Sequence, residues 1–593
     1  MEAGTAIKRM PLVEFPANVR LDGLQKRKDR SNVSSWAIDR WSQGLGFQRM
    51  NVDVASQLYR LWEVENCDTR HPSHIILSPK MQVPTIVPSR GDLELHLAYI
   101  DQLYFCQTQA PDDISIAFKF TAPNTLGSYL KIAGDDGRGS LMAIQAFGED
   151  IVFSSNDSAK QEVAFVTGLG GAGLDGNVGS ILTDGDVFPQ FGDLGGTLHL
   201  LSYKSNKAYF YTANQAFASL EYIASISTVI GTSLAPLVTD GLTMFANLPQ
   251  GVYNFDMTPA LVIDTSRAKD KNCMQAMFGN ELYFKNKKSL IHYDGEDTEG
   301  VGYDLNDGLP TEQFGEITAM CSSWKYLFAA VKGGTYSHIF SRDEGGAWQY
   351  YARIPTAGLW VREMFLSDSP DAIDRLWCIF GSASHPGYFL NPMVNPLSAG
   401  TYQFVPTGHF GKPIFDGGMP EEPGAFYDEV VTCDGIGGSN KITCLYGLNG
   451  ASPVTTLGVV DESREMLMFG SPYGIEGYRI QPRFLLAGAN SGTTPIYRDA
   501  TIHYLKLPRE REAFDFSIDL EKTAVSQVRP LEAVIGSLDS ERASRTLMPF
   551  WYGKVATKAV KVMQMPFSEE TEEDRIFPTE RTGIVGLRVA EIT

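Results

Sequence analysis

Residues whose type and spacing could do chemistry lie in a few short stretches of the chain. Gly168, Gly170 and Gly173 complete a G-x-G-x-x-G spacing directly after the apolar run 163–166, and Asp184 and Asp186 follow. Such a loop cradles a pyrophosphate when a helix N-terminus comes next. Here Leu174-Asp175-Gly176-Asn177-Val178-Gly179 comes next, and it is too glycine-rich to propagate a helix, so the stretch reads as a loop between strands. Carboxylates gather in glycine turns at Asp135-Asp136-Gly137, Asp184-Gly185-Asp186 and Asp294-Gly295-Glu296-Asp297, the last followed by Asp304 and Asp307. Hard oxygen donors of this kind suit Ca²⁺, which makes Asp294, Asp297, Asp304 and Asp307 the candidate metal ligands. None of these turns has the spacing of a calcium loop, and a solvated tip has the same composition. His71 and His74 are the nearest approach to a histidine pair, and Pro72 between them argues against a zinc pair carried on a helix. The chain has no G-x-S-x-G elbow, Walker A loop or C-x-x-C pair. No catalytic residue and no cofactor is assigned.

The remaining stretch is structural in its chemistry. Ser341, Asp343, Gly345 and Trp348 stand at the spacing S-x-D-x-G-x-x-W between two runs rich in Tyr, Ile and Trp, the pattern of a β-hairpin with a short turn. In such a turn Asp343 is expected to accept hydrogen bonds from the turn's own N–H groups, Gly345 to supply the positive φ, and Trp348 to cover the turn as an apolar lid.

That spacing resembles the Asp-box, the hairpin signature of sialidase-type and related β-propellers. The resemblance implies a propeller blade around the hairpin. Tyr351-Ala352-Arg353-Ile354-Pro355 also resembles the R-I-P motif whose arginine helps bind the sialate carboxylate in sialidases. In that family the motif precedes the Asp-boxes, whereas here it trails the only full one, so Arg353 is expected to be a strand residue that pairs locally.

The elements that must position these residues are strands. Among 593 residues, 43% hydrophobic and 20% charged exclude a disordered chain, and 57 Gly, 31 Pro and 11% aromatics favour short strands joined by tight turns. A net charge of -20 argues against general nucleic-acid binding, since an acidic surface repels phosphates; the basic knot Lys26, Arg27, Lys28 and Arg30 reads as a solvated arm. Seven scattered cysteines imply no disulfide framework, and the absence of an apolar leader or membrane-length run points to folding in a reducing cytoplasm with no membrane insertion.

Strand-like runs begin at residue 93 and recur as hairpins at roughly 40–50 residues, the period of propeller blades. A change of texture near residue 410 introduces closely spaced strands of a sandwich, and beyond residue 509 the run 531–543 reads as a short helix among strands. The expected architecture is mostly β: an N-terminal extended arm (1–90), a β-propeller (91–410), a β-sandwich (411–508) and a small α+β C-terminal domain (509–593). This layout, with the stretches 36–46 and 68–72 ahead of it, resembles propeller proteins of tailed-bacteriophage virions. The resemblance implies a structural, tail-associated virion protein that folds in the host cytoplasm. Its implied partners are other virion proteins, copies of itself, and a glycan or receptor on the host surface. The alternatives are a sialidase-like or other glycoside hydrolase, which needs paired carboxylates on the propeller axis, and a carbohydrate-binding propeller, which needs exposed aromatics beside acidic turns.

Overall fold

The computed structural model describes residues 6–10, 15–20, 34–46, 59–86 and 93–506, the last with gaps of which 168–186 is the longest. It also describes the strand segments 513–519, 548–550, 558–564, 567–569 and 583–591. The described residues are almost wholly β, with one short 3₁₀ turn at Pro396–Ser398. They fall into two compact units, the larger formed by 35–418 and 426–503.

Seven antiparallel sheets of the larger unit are the blades of a β-propeller. Their innermost strands are Leu93–Tyr99, Ser140–Phe147, Val187–Leu194, Val238–Thr239, Gln275–Phe278, Glu316–Ser322 and Val361–Ser367, each followed by its own hairpin partners in chain order. Each innermost strand neighbours the next, and Val361–Ser367 neighbours Leu93–Tyr99, so the ring closes. Tight hairpins follow from local chemistry: Gly195 and Gly196 in blade three, and Gly279 with Asn280 in blade five, all take positive φ in two-residue turns. The turn ahead of Glu316–Ser322 carries a Gln313 N–H to Pro310 carbonyl bond of 2.8 Å.

Apolar wedges between successive blades form the core. Between blades six and seven these include Phe328, Ile339, Tyr351, Leu376 and Phe389. Between blades seven and one, Phe105, Phe118 and Phe120 meet Phe365, Trp377 and Tyr388. Among the described residues no strand is exchanged across this last seam. Instead a segment from the first ninety residues stitches it from outside. Gln82 exchanges both backbone bonds with Tyr388 of the outer strand of blade seven, and Thr85–Ile86 pairs in parallel with Thr125–Lys131, the outer strand of blade one. On the inner side His96 Nδ1 lies 2.5 Å from Glu363 Oε1.

Two five-stranded sheets follow. One runs Ser34–Ile38, Ile496–Lys506, Gly424–Asp434, Arg464–Met468, with Ile475–Gly477 also on Gly424–Asp434; the other runs Thr455–Val460, Lys441–Leu448, Ile480–Ala487, Thr407–Gly411, Glu63–Glu65. Tyr497 of the first sheet packs 4.8 Å from Phe410 and 4.9 Å from Phe484 of the second, ring to ring.

The expected extended arm is therefore not a separate element where it is described. Its pieces complete other sheets: Ser34–Ile38 and Glu63–Glu65 as edge strands of the two five-stranded sheets, and Thr85–Ile86 as an added strand on blade one. Open sheet edges leave N–H and C=O groups unpaired, and these short segments satisfy them.

The smaller unit is built from 1–34, 419–425 and 504–593. Its described strands form one antiparallel sheet, in which Ala6–Met10 and Phe15–Arg20 join Ala513–Asp519, Gly583–Glu591, Lys558–Gln564 and Met548–Phe550, with Phe567–Glu569 also on Gly583–Glu591. The helix expected at 531–543 lies outside the described residues.

Candidate functional site

Trp348 and Arg353 lie on one strand, Trp348–Arg353, the outermost of blade six, and the stretches 36–46 and 68–72 meet it along its edge. Leu45 N–H donates to the Trp348 carbonyl at 3.1 Å and Thr69 N–H to the Tyr350 carbonyl at 3.1 Å. The Thr69 hydroxyl accepts from Tyr350 N–H at 3.0 Å and donates to Gln349 Oε1 at 2.9 Å. Gln349 Nε2 donates to the Trp41 carbonyl at 3.1 Å, and the Trp41 indole donates to the Thr69 and His71 carbonyls at 3.0 and 2.9 Å. Gly44 is obligatory here: its φ is +76°, and a Cβ would stand 2.3 Å from the Trp348 carbonyl oxygen.

Charge is arranged along the same edge. Asp68 and Arg70, whose side chains are 0% and 1% exposed, form a bidentate pair with Nε–Oδ1 at 2.9 Å and Nη2–Oδ2 at 2.7 Å. Burial alone pushes the Asp68 carboxyl up, and Arg70 beside it more than offsets this and holds it below the usual range. The Arg70 guanidinium also donates to the Pro392 carbonyl and lies 4.1 Å from the Tyr351 ring centroid, tying the chain beyond blade seven to blade six. Arg353 pairs with Glu65, and its guanidinium stacks 3.9 Å from the Tyr336 ring. Arg483 pairs with Glu63 of the same short strand. Each carboxylate thus accepts from a guanidinium, an arrangement that suits a joint. The buried Lys412 amine donates to the Arg60 and Arg40 carbonyls at 2.9 and 3.3 Å, and burial lowers it to about 7.

Arg353 does not pair locally: its partner is 288 residues away in sequence. A strand-end arginine finds whichever carboxylate the tertiary fold brings, and Glu65 arrives because Glu63–Glu65 extends a sheet that packs beside blade six. Glu63, Glu65 and Arg483 were not anticipated. The available signal was Glu63-Val64-Glu65, two carboxylates on one face of a strand whose central valine is buried.

The hairpin itself is formed as expected, with Arg342 opposite Trp348 and Ser341 opposite Gln349. Its lock is different. The positive φ belongs to Gly346, at +85°, and not to Gly345. Asp343 Oδ1 and Ser341 Oγ are buried without a hydrogen-bond partner, so the carboxylate does not gather the turn's N–H groups through that oxygen. The turn closes through backbone, with Gly346 N–H donating to the Asp343 carbonyl at 3.0 Å, and through Arg342, whose guanidinium donates to the Gly346 carbonyl. Trp348 is buried, but its indole reaches away from the turn to donate to the Val301 carbonyl at 2.5 Å. It is an inter-blade tie more than a lid over its own turn.

Of the candidate metal ligands, Asp304 and Asp307 lie outside the described residues, as do Gly168, Gly170, Gly173, Asp184 and Asp186. Asp294 accepts from the N–H groups of Glu296 and Asp297 at 2.9 and 2.8 Å, and these bonds hold its carboxyl low. Among the described residues no three His, Cys, Asp or Glu side chains are grouped to hold a metal. His71 and His74 do meet, as stacked rings 4.8 Å apart.

No protein-family model and no curated protein sequence matches the chain. Solved structures that resemble it are propellers at low similarity. The β-propeller domain of the trilobed protease from Pyrococcus furiosus is 11% identical with a TM-score of 0.33, over 50% of this chain and 97% of that one. The WD40 domain of Toxoplasma gondii coronin is 9% identical with a TM-score of 0.35, over 54% and 88%. The acylaminoacyl peptidase of Pyrococcus horikoshii is 11% identical with a TM-score of 0.34, over 54% of this chain and 58% of that one. At these scores the propeller assignment rests on the closed ring of seven sheets in this chain.

Proposed function

We propose that this chain is a structural protein of a virion of the tailed-bacteriophage kind, tail-associated, and that it works by joining subunits and not by turnover. The observation that carries the reading is the state of Arg353. An enzyme of the sialidase type needs that arginine free for a substrate carboxylate; here Glu65 holds it and Tyr336 covers it. The same logic runs through Glu63, which Arg483 holds within their shared sheet, and through Asp68 and Arg70, which hold each other in the segment beside Trp348–Arg353. The chain's habit of completing sheets with short, distant segments is the chemistry by which neighbouring subunits add strands to one another.

The test uses variants of this joint. Glu65→Gln with Arg353→Met should leave a folded protein that enters particles poorly, with no glycosidase activity in either form. Hydrolysis of a sialoside or other glycoside by the wild type, abolished in the variant, would overturn the proposal.

Exposed aromatics favour one addition, glycan contact without turnover. Trp324 is 77% exposed at a hairpin tip of blade six, and Tyr222 is 53% exposed beside Glu221 on blade three. Aromatic rings exposed in this way can stack on sugar rings, Tyr222 from a cluster with Tyr209 and Tyr211. Loss of glycan-array binding in Trp324→Ala or Tyr222→Ala would support this role, and no binding by the wild type would remove it.

A further inference from the structure

We propose that the joint between blade six and the five-stranded sheets is an acid-sensitive latch, closed at neutral pH and loosened by protonation of four histidines. This goes beyond the structural role and stands independently of the particle assignment. The described histidines divide by position. Away from the joint, His96, His292 and His503 each lie 2.5–2.6 Å from a carboxylate, those of Glu363, Glu281 and Asp428, and His199 lies 3.0 Å from the Thr197 carbonyl. At the joint, His71, His74, His338 and His409 have no carboxylate partner.

Four carboxylates there already belong to a cation, and that of Glu312 accepts from the Thr335 hydroxyl. Asp68 is held by Arg70, Glu65 by Arg353, Glu63 by Arg483 and Asp434 by Arg498. His71 and His74 stack with planes 7° apart, and the Nε2 of each is buried without a partner. Around them stand Asp68, Arg70, Lys325 and Arg498. His338, 2% exposed, lies 3.1 Å through Nδ1 from the Tyr350 hydroxyl, donates to the Glu312 backbone carbonyl and has Arg353 nearby. His409 is half-buried opposite Glu65 in the sheet, between Arg483 and Arg353. A proton added to any of the four creates a cation among guanidiniums whose counter-ions are taken.

The electrostatics act in one direction. Burial is the largest influence and lowers all four imidazoles, three of them to about 4; neighbouring cations add to it, while Asp68 beside His71 and His74 and the Glu312 carbonyl beside His338 oppose it without reversing it. The unfolded or opened segments take up protons as pH falls through about 6.5, while the closed joint resists until about 4. Stability of the joint is therefore full above about pH 6.5 and is lost progressively on acidification through that window. The segments released first are those the histidines sit on: 68–78, which binds Trp348–Arg353 and Tyr497, Ser337–Arg342, and Thr407–Gly411.

Hydrogen exchange read by mass spectrometry on the full chain, at about pH 7.5 and about pH 5 with intrinsic rates corrected, tests this. Protection in 68–78, Ser337–Arg342 and Trp348–Arg353 should fall at least about tenfold at the lower pH, while Leu93–Tyr99, outside the joint, should change much less. Equal change in both regions overturns the proposal. His71→Gln with His74→Gln should flatten the dependence. Should that variant not fold, the exchange of each wild-type histidine's C2 proton reads its titration directly: the four joint histidines must titrate below the ordinary value of about 6.5, and any that titrates at or above it contradicts the latch.

Discussion

Glu429 offers the sharpest quantitative test of how the two five-stranded sheets are packed. It lies in Gly424–Asp434, is 1% exposed, and its Oε1 has no hydrogen-bond partner. The Cys444 thiol of the facing sheet is its one bonded neighbour, and the nearby Tyr497 spends its hydroxyl on the Ile38 carbonyl at 2.8 Å. Burial raises the carboxyl to about 8, against an ordinary 4.5. A raised carboxyl means that the folded state holds its proton where the unfolded chain releases it. Stability is therefore full below about pH 4.5 and falls as pH rises through about 8. The difference of about 3.5 units sets a ceiling of ~5 kcal/mol on that loss. Glu429→Gln keeps the shape and removes the titration, so the two proteins should match near pH 4.5 and the variant should be more stable by roughly 3–5 kcal/mol near pH 9. A chain of this size does not unfold in one step, so the readout must be local. Cys444 is buried in the same core, and its protection from a thiol reagent, referenced to a peptide at each pH, reports opening there. Parallel pH profiles of Cys444 protection in wild type and Glu429→Gln would refute the assignment of a neutral buried carboxyl.

Three further outcomes are expected. Gly44→Ala places a methyl on the Trp348 carbonyl at a positive φ, and should cost at least about 3 kcal/mol, read as loss of exchange protection at Trp348–Arg353. Asp68→Asn or Arg70→Met alone should destabilise blade six by about 3–5 kcal/mol, because each leaves a buried charge unpaired, whereas the double replacement should recover much of it; additive losses in the double-mutant cycle would show that the two do not act as a pair. In the hairpin, Arg342→Ala should cost about 1–2 kcal/mol by removing the bond to the Gly346 carbonyl, and Asp343→Ala under about 0.5. The reverse order in thermal midpoints would restore the turn chemistry expected from the S-x-D-x-G-x-x-W spacing.

The contrast between Arg342 and Asp343 shows where reading the sequence stops. That a hairpin lies at 337–353 was legible, because Tyr336, Ile339, Trp348 and Tyr350 flank a polar, glycine-bearing turn. Which glycine takes positive φ was not, since Gly345 and Gly346 are adjacent and the choice follows from the register with Trp348. Seven blades were not countable in advance: the outer strand Thr298–Gly300 is three residues and the inner strand Val238–Thr239 only two, too short for an alternation signal. The stretches 36–46 and 68–72 were noticed for their texture, but their place against Gln349 and Tyr350, some 280–310 residues distant, depends on which sheet edges the fold leaves open. His71 and His74 were weighed only as metal ligands; their stacking and the carboxylates already taken around them exist only in the tertiary structure.

The central claim is that this chain is built into a particle. Its most direct measurement is quantitative mass spectrometry of density-gradient-purified virions from the source that encodes the chain, with the copy number per particle set against the major structural proteins. A fixed, integral stoichiometry that survives high salt is the result predicted. A chain found only as a free soluble species, absent from particles at every salt concentration, would contradict it.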